Sequence, residues 1–252
     1  MTQRLDVALV TRGLARSRAQ AADLIARGRV RVDGRRASRA SEKVSDRTRI
    51  EADADPYVSR AAHKLLGALD ATGTVVAGRC LDAGASTGGF TQVLLERGAE
   101  RVYAVDVGHG QLAEPMASDP RVVPREGLNL RDLTLADVGG EPVDVVVADV
   151  SFISLTLLVA PVLAVLDPAG VALLMVKPQF EVGRAALDAH GVVADPARAD
   201  AAVDAVSDAA AQLGWTTVWR GETALPGERG NREYFLKLAR HVPSDDPVRL
   251  AE

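Results

Sequence analysis

The chemistry open to this chain is concentrated in four polar residues that close apolar, mostly β-branched runs: Asp82 in CLDAG, Asp106 in VYAVD, Asp149 in VDVVVAD and Lys177 in VALLMVK. Asp82 leads into a glycine loop, LDAGASTGGF at residues 81–90. Such a loop lets backbone approach a ligand, and the N–H groups of the helix that follows face a negative group. The loop reads G-A-S-T-G-G, without the second glycine of a G-x-G-x-x-G fingerprint, so a dinucleotide pyrophosphate is disfavoured. Acids closing the first two strands suit S-adenosylmethionine instead. Its amine wants a carboxylate, its carboxylate wants a helix N-terminus and its ribose wants a bidentate acceptor. On this reading Gly84, Ser86, Thr87 and Gly88 hold the methionine end, Asp106 the ribose and the Asn129 loop the adenine side, with Asp82 and Asp149 completing the set.

Asp149 introduces DVSFISL rather than the N-P-P-Y type of tetrapeptide that amino-methylating enzymes carry, and Cys80 is the chain's single cysteine. No second thiol exists to attack a pyrimidine ring, so base methylation is disfavoured. A lysine among acids suits removal of a proton from a hydroxyl.

Bringing these residues together requires strands and helices that alternate. After a helix at 90–97, strands are expected at 102–106, 122–124, 143–150, 171–177, 215–222 and 233–238, with helices at 151–167 and 196–213. The pattern predicts an α/β fold, one doubly wound sheet of about seven strands. Ligands bind such a sheet beyond the carboxyl ends of its strands, which puts Asp82, Asp106, Asp149 and Lys177 on one rim. Before it, a helix from Ser59 to about Ala71 carries Ala61, Ala62, Leu65, Leu66 and Leu69 on one face, leaving Arg60 and Lys64 on the other edge as surface cations. Phe90, Trp215, Trp219 and Tyr234 read as core.

The N-terminal segment differs in character. Residues 1–60 hold 14 basic against 8 acidic residues, whereas the net charge of the whole chain is −4. That asymmetry suits a nucleic-acid-binding arm on an acidic body. Leu5–Val10 reads as a short helix, and Ser17 with Gln20 opens a second whose stripe is Ala21, Ala22, Leu24 and Ile25. In RVRVDGRR the valines alternate with arginines before an Asp33-Gly34 hairpin turn. Two helices and an arginine-bearing ribbon resemble the small α+β RNA-binding domain first named for a small-subunit ribosomal protein, the S-four domain. The resemblance spans roughly residues 3–50 and implies RNA contacts from Arg4, Arg16, Arg18, Arg29, Arg31, Arg35 and Arg36. The boundaries expected are 1–52 for this domain, a linker at 53–58 interrupted by Pro56, a catalytic domain at 59–242 and a flexible tail at 243–252.

Composition fits a globular protein, with 47% hydrophobic and 25% charged residues. The longest apolar run, Leu155–Leu166, is short for a bilayer and contains Pro161, and the start MTQRLDVALV has no signal-peptide core. A cytoplasmic protein without disulfides, membrane association or a metal site is expected.

The motifs VSRAAHKL, LDAGASTGGFT, DVGHGQL, VADVSFISL, VKPQFEVG and NREYFLKL together resemble the TlyA family. These are hemolysin-A-type ribosomal RNA 2′-O-methyltransferases whose Rossmann-like catalytic domain is similar to FtsJ/RrmJ enzymes. The resemblance implies a K-D-K-E tetrad at Lys64, Asp149, Lys177 and Glu233, with Arg60 on the RNA path and S-adenosylmethionine as cofactor. It also implies methylation of cytidine ribose in the RNA of ribosomal subunits, a link to capreomycin susceptibility, and a monomer. Lys177 is then the candidate base. A free lysine has a pKa near ~10.4, so desolvation and a like-charged neighbour, Lys64, must lower it, while Asp149 and Glu233 orient the amines and act in the opposite sense. Tyr57 stands where the family's linker usually has tryptophan, and His109 where tyrosine is frequent. Two other readings are a membrane-active haemolysin, which needs an exposed amphipathic insertion segment, and a non-enzymatic RNA-binding assembly factor in which the tetrad is a relic.

Overall fold

The computed structural model describes residues 2–15, 17–53, 55–227 and 229–240 and divides between Pro56 and Tyr57 into two compact units. The expected tail lies outside the described residues.

The first unit runs β1 (Thr2–Arg4), α1 (Leu5–Thr11), α2 (Arg18–Ala26), β2 (Val30–Val32), β3 (Arg35–Arg36), β4 (Lys43–Ser45) and β5 (Ile50–Ala52). Ser17 starts α2, its Oγ accepting from the Gln20 N–H at 3.2 Å. The two helices and the ribbon close over Leu5, Leu9, Ala21, Leu24, Ile25, Val30, Val32 and Val44. Ala22 is exposed, not part of that stripe, because its helical step points it away from α1. Asp33 and Gly34 both adopt positive φ, 47° and 79°, the backbone of the tight turn joining β2 to β3. Ala52 pairs with Val30 and Ile50 with Val32, so the ribbon gains a third strand that its sequence did not announce.

The second unit contains α3 (Ala61–Thr72), β6 (Arg79–Ala83), α4 (Gly89–Glu96), β7 (Arg101–Asp106), α5 (Glu114–Ala117), β8 (Val122–Glu126), β9 (Val143–Ala148), α6 (Val159–Ala164), β10 (Leu166–Val176), α7 (Pro178–Glu181), α8 (Pro196–Ala211), β11 (Thr216–Glu222) and β12 (Tyr234–Ala239). These strands form a seven-stranded sheet in the order β11-β12-β10-β9-β6-β7-β8. Strands β6 to β10 pair in parallel, and β12 runs antiparallel to both its neighbours. Alternate residues feed two apolar layers: Leu81, Ala83, Val146 and Ala148 on one face, Cys80, Val145 and Val147 on the other. Phe90 packs its ring on Phe235 and Trp215 is fully buried, both as expected of core residues. The strand order reverses between β6 and β9, where a ligand crevice opens in such sheets.

The helix expected over 151–167 does not form as one piece. Residues 151–154 stay irregular, Leu155–Leu157 make a single 3₁₀ turn, and α6 covers only six residues before β10 begins at Leu166. Phe152 with φ of 66° cannot sit in a right-handed helix, and the 151–154 stretch is instead tied to α7.

Candidate active site

Lysine and carboxylate side chains meet beyond the ends of β9 and β10. Asp149 is the first residue past β9 and Lys177 the first past β10, and the Lys177 Nζ lies 2.6 Å from the Asp149 Oδ1. Lys177 also donates to the Ser151 Oγ at 2.8 Å. Glu233 precedes β12, and because that strand is antiparallel, with Val176 opposite Tyr234, its N-terminal end reaches the rim where β10 stops. Lys64 comes from α3 and donates to the Glu233 Oε2 at 2.5 Å. It is buried, contrary to its expected place on the helix surface, since it shares the face of α3 that carries Ala68 toward the sheet. The four side chains line one cavity of about 370 Å³, together with Arg60, Ser151, Phe152, Gln179, Phe180 and Arg229.

Burial raises the Asp149 carboxyl above the usual carboxylate range, while the adjacent Lys177 and then Lys64 draw it back. Next to this cavity is a second concavity of about 540 Å³, walled by Gly84, Ser86, Asp106, Leu128, Asn129, Leu130, Val150 and Ile153. Asp149 and Ser151 belong to the walls of both. Thr87 lines a smaller recess that joins them, with Gly84, Ser86, Asp149 and Lys177.

The glycine loop is shaped by backbone crowding. Gly84 has φ of 90°, and a Cβ there would come within 2.6 Å of the Asp149 carbonyl oxygen, so the ends of β6 and β9 approach this closely only without a side chain. Ser86 is held in the left-handed region at φ of 46° by its N–H bond to the Asp106 Oδ2 at 2.9 Å. The other Asp106 oxygen takes the Gly108 N–H at 2.7 Å. Asp106 therefore braces the loop while presenting its carboxylate to the cleft. Asn129 lines the cleft and also caps the following turn, accepting from the Arg131 N–H.

Two residues assigned to the ligand stand elsewhere. Asp82 is wholly buried inside β6, on the side facing α4, where it accepts from the Thr91 Oγ1 at 2.6 Å and lines none of these concavities. One step along a strand turns a side chain to the opposite face, which takes Asp82 off the rim. Its carboxyl is pushed up to about 7, chiefly by burial. Gly88 lines none of them either. Its missing Cβ makes room for Leu112 and Met116, each with an atom 2.9 Å from where it would lie.

The sequence profile of the FtsJ-like methyltransferase family matches residues 57–240, and that of the S4 domain matches residues 3–50. The chain is 52% identical over 239 residues to the 16S/23S rRNA (cytidine-2′-O)-methyltransferase TlyA of Mycobacterium tuberculosis, covering 93% of this chain and 89% of that protein. This chain belongs to the TlyA family. It is also 36% identical to Hemolysin A of Brachyspira hyodysenteriae over 92% of its length and 98% of that protein. A solved structure described as a putative hemolysin from Streptococcus thermophilus superposes with a TM-score of 0.74 at 33% identity, covering 96% of this chain and 92% of that one. No helix among the described residues of this TlyA-family chain is long and apolar enough to cross a membrane.

The arginines assigned to RNA divide into groups. Arg29, Arg31, Arg35 and Arg36 are exposed on and beside the ribbon of the S4 domain, with Arg35 paired to Glu42 at 2.6 Å. Arg4 and Arg18 both bond to the buried Asp6, whose carboxyl the Arg4 guanidinium holds well below the usual range. Their first duty in the fold is to neutralise that acid. Arg16 lies outside the described residues. Arg60 is exposed at the tetrad cavity of the second unit. Ser151 and Glu181 were not singled out from sequence. Glu181 accepts from the Ser154 Oγ at 2.5 Å and from the Leu155 N–H at 2.7 Å, joining the segment after β9 to the turn after β10.

Proposed function

We propose that this chain transfers a methyl group from S-adenosylmethionine to the ribose 2′-hydroxyl of a cytidine in ribosomal RNA. The observation that carries the reading is the convergence of Lys64, Asp149, Lys177 and Glu233 on one cavity that adjoins a cleft through Asp149 and Ser151. The cleft suits the cofactor. A Cβ at Gly84 would fill its floor, Asp106 supplies a carboxylate at the end of the second strand, and Leu128, Leu130, Val150 and Ile153 give apolar walls for a purine ring. Gly84, Ser86 and Thr87 would hold the methionine end, Asp106 the ribose and Asn129 the adenine side. Bound there, S-adenosylmethionine supplies a methyl already activated by its sulfonium.

The protein's part is alignment and proton removal. Lys177 takes the 2′-hydroxyl proton onto Nζ, and Asp149 pairs with that amine. Lys64 and Glu233 pair with each other in the wall of the same cavity. Arg60 at the mouth and the exposed arginines of the S4 domain meet phosphates, supplying affinity rather than base selection.

Incubation of the full chain with methyl-labelled S-adenosylmethionine and separated, unmethylated ribosomal subunits tests this. The expected product is an alkali-resistant linkage 3′ of a cytidine. Label on a base, or no label in RNA while pure protein releases dye from liposomes, would refute it.

A further inference from the structure

Nothing in the sequence marks Ser151, yet it occupies a singular place. Together with Asp149, it lines the tetrad cavity, the cofactor cleft and the recess between them. Its Oγ lies 2.8 Å from the Lys177 Nζ, on which the Asp149 Oδ1 also bears at 2.6 Å. The backbone beside it is held under strain. Phe152, a residue 91% exposed, sits at φ of 66°, so burial does not offset that conformation. What fixes the segment is Glu181 on the far side, through its bonds to Ser154 and Leu155. The strained Phe152 and the double anchor at Ser154 and Leu155 together hold the backbone that follows Ser151.

We infer that Ser151 is a positioning residue for Lys177, setting the direction of the amine's lone pair. The inference rests on the ribose-methylation reading above. A neutral lysine amine has two N–H bonds and one lone pair. With one hydrogen bonded to the Ser151 hydroxyl and the other drawn toward the Asp149 oxygen that lies in ionic contact at 2.6 Å, the lone pair is left to face the cavity, where the 2′-hydroxyl enters. The proton then passes from the ribose oxygen to Nζ, the O–H bonding pair stays on oxygen for the methyl, and Nζ becomes an ammonium with three N–H bonds. A methyl in place of the Ser151 hydroxyl frees rotation about Cε–Nζ, and the lone pair loses its fixed direction. Asp149 alone does not restore it, because its contact with Nζ is an ion pair without hydrogen-bond alignment and leaves the amine free to turn.

Steady-state methylation of unmethylated ribosomal subunits by the full chain, its Ser151→Ala variant and its Ser151→Thr variant tests this. Because Ser151 is exposed, the alanine variant is expected to fold as the parent does. Ser151→Ala should lower kcat by about tenfold to a hundredfold with KM for RNA and for S-adenosylmethionine within about twofold. Ser151→Thr, which keeps the hydroxyl, should return kcat to within a few-fold of the parent. An unchanged kcat in Ser151→Ala, a loss confined to KM, or a loss that threonine does not repair overturns the assignment while leaving the methylation reading in place. A parent chain that forms no 2′-O-methyl product on any ribosomal RNA removes both.

Discussion

The two lysine–carboxylate pairs of the cavity contain the same functional groups and differ in their surroundings. Lys64 and Glu233 are 7% and 4% exposed, joined at 2.5 Å and contributed by elements 169 residues apart in the chain. Lys177 and Asp149 are 12% and 17% exposed, joined at 2.6 Å, and share a hydroxyl neighbour where the two concavities meet. A charge sealed from solvent and matched by one partner is costly to separate and poorly placed to exchange protons. A charge at a cavity wall can exchange them. On the proposed reading the first pair chiefly holds the architecture and the second carries the proton transfer, although both line the same space.

The sharpest way to break that division is to remove each lysine in turn. Lys177→Ala should reduce kcat by about a thousandfold, within the range of a lost general base, with a smaller loss of denaturant stability than Lys64→Ala, because the Asp149 carboxyl, already raised by burial, can take up a proton. Lys64→Ala should do the reverse in emphasis. It strands Glu233 without its cation, and breaking a buried pair by deleting one partner costs about 3–5 kcal/mol, read as a lower urea midpoint at unchanged slope. Replacing both members by apolar residues of similar volume, Lys64→Met with Glu233→Leu, should recover most of that stability. If Lys177→Ala unfolds the chain and Lys64→Ala leaves it fully stable, the two pairs have been assigned the wrong way round.

The difference between the pairs also explains what could be read in the sequence. Asp149 and Lys177 announce themselves because each ends a β-branched run, and the carboxyl end of a buried strand is fixed by the same residues that make it a strand. Glu233 carries no such local sign. It reaches the rim only because β12 runs antiparallel to β10, a relation set by long-range pairing, and only the family resemblance pointed to it. Lys64 is legible only in part for a related reason, since the family resemblance and not the helix pattern points to the tetrad. Helical spacing groups it with Arg60, and its burial is intelligible only once Glu233 is opposite. The run Leu155–Leu166 looked like continuous helix because apolar content hides a break, while the bonds from Glu181 that hold the irregular segment come from a different element. In the S4 domain, local turn chemistry at Asp33-Gly34 was enough to place the ribbon, and the third strand was not.

Asp82 sharpens the comparison from the other side, as a buried acid that no cation among the described residues pairs with. It is wholly buried and accepts a hydrogen bond from the Thr91 hydroxyl. Burial, with smaller contributions from the negative charges of Asp149 and Asp106, lifts its carboxyl to about 7 against the opposing pull of Thr91. An unfolded aspartate titrates near ~3.9, so between about pH 4 and 7 the folded chain holds a proton that the unfolded chain has released. Stability from this group thus falls as pH rises through that window, with a slope of up to about 1.4 kcal/mol per pH unit, and levels off above it. Asparagine keeps an acceptor for Thr91 and cannot ionise. Asp82→Asn should therefore match the parent near pH 4, exceed it near pH 8 and show a flatter profile between, measured by urea unfolding at a series of pH values. Parallel profiles would mean that Asp82 is ionised in the folded state at neutral pH, and that this protein tolerates an interior charge without the partner that Lys64 gives Glu233.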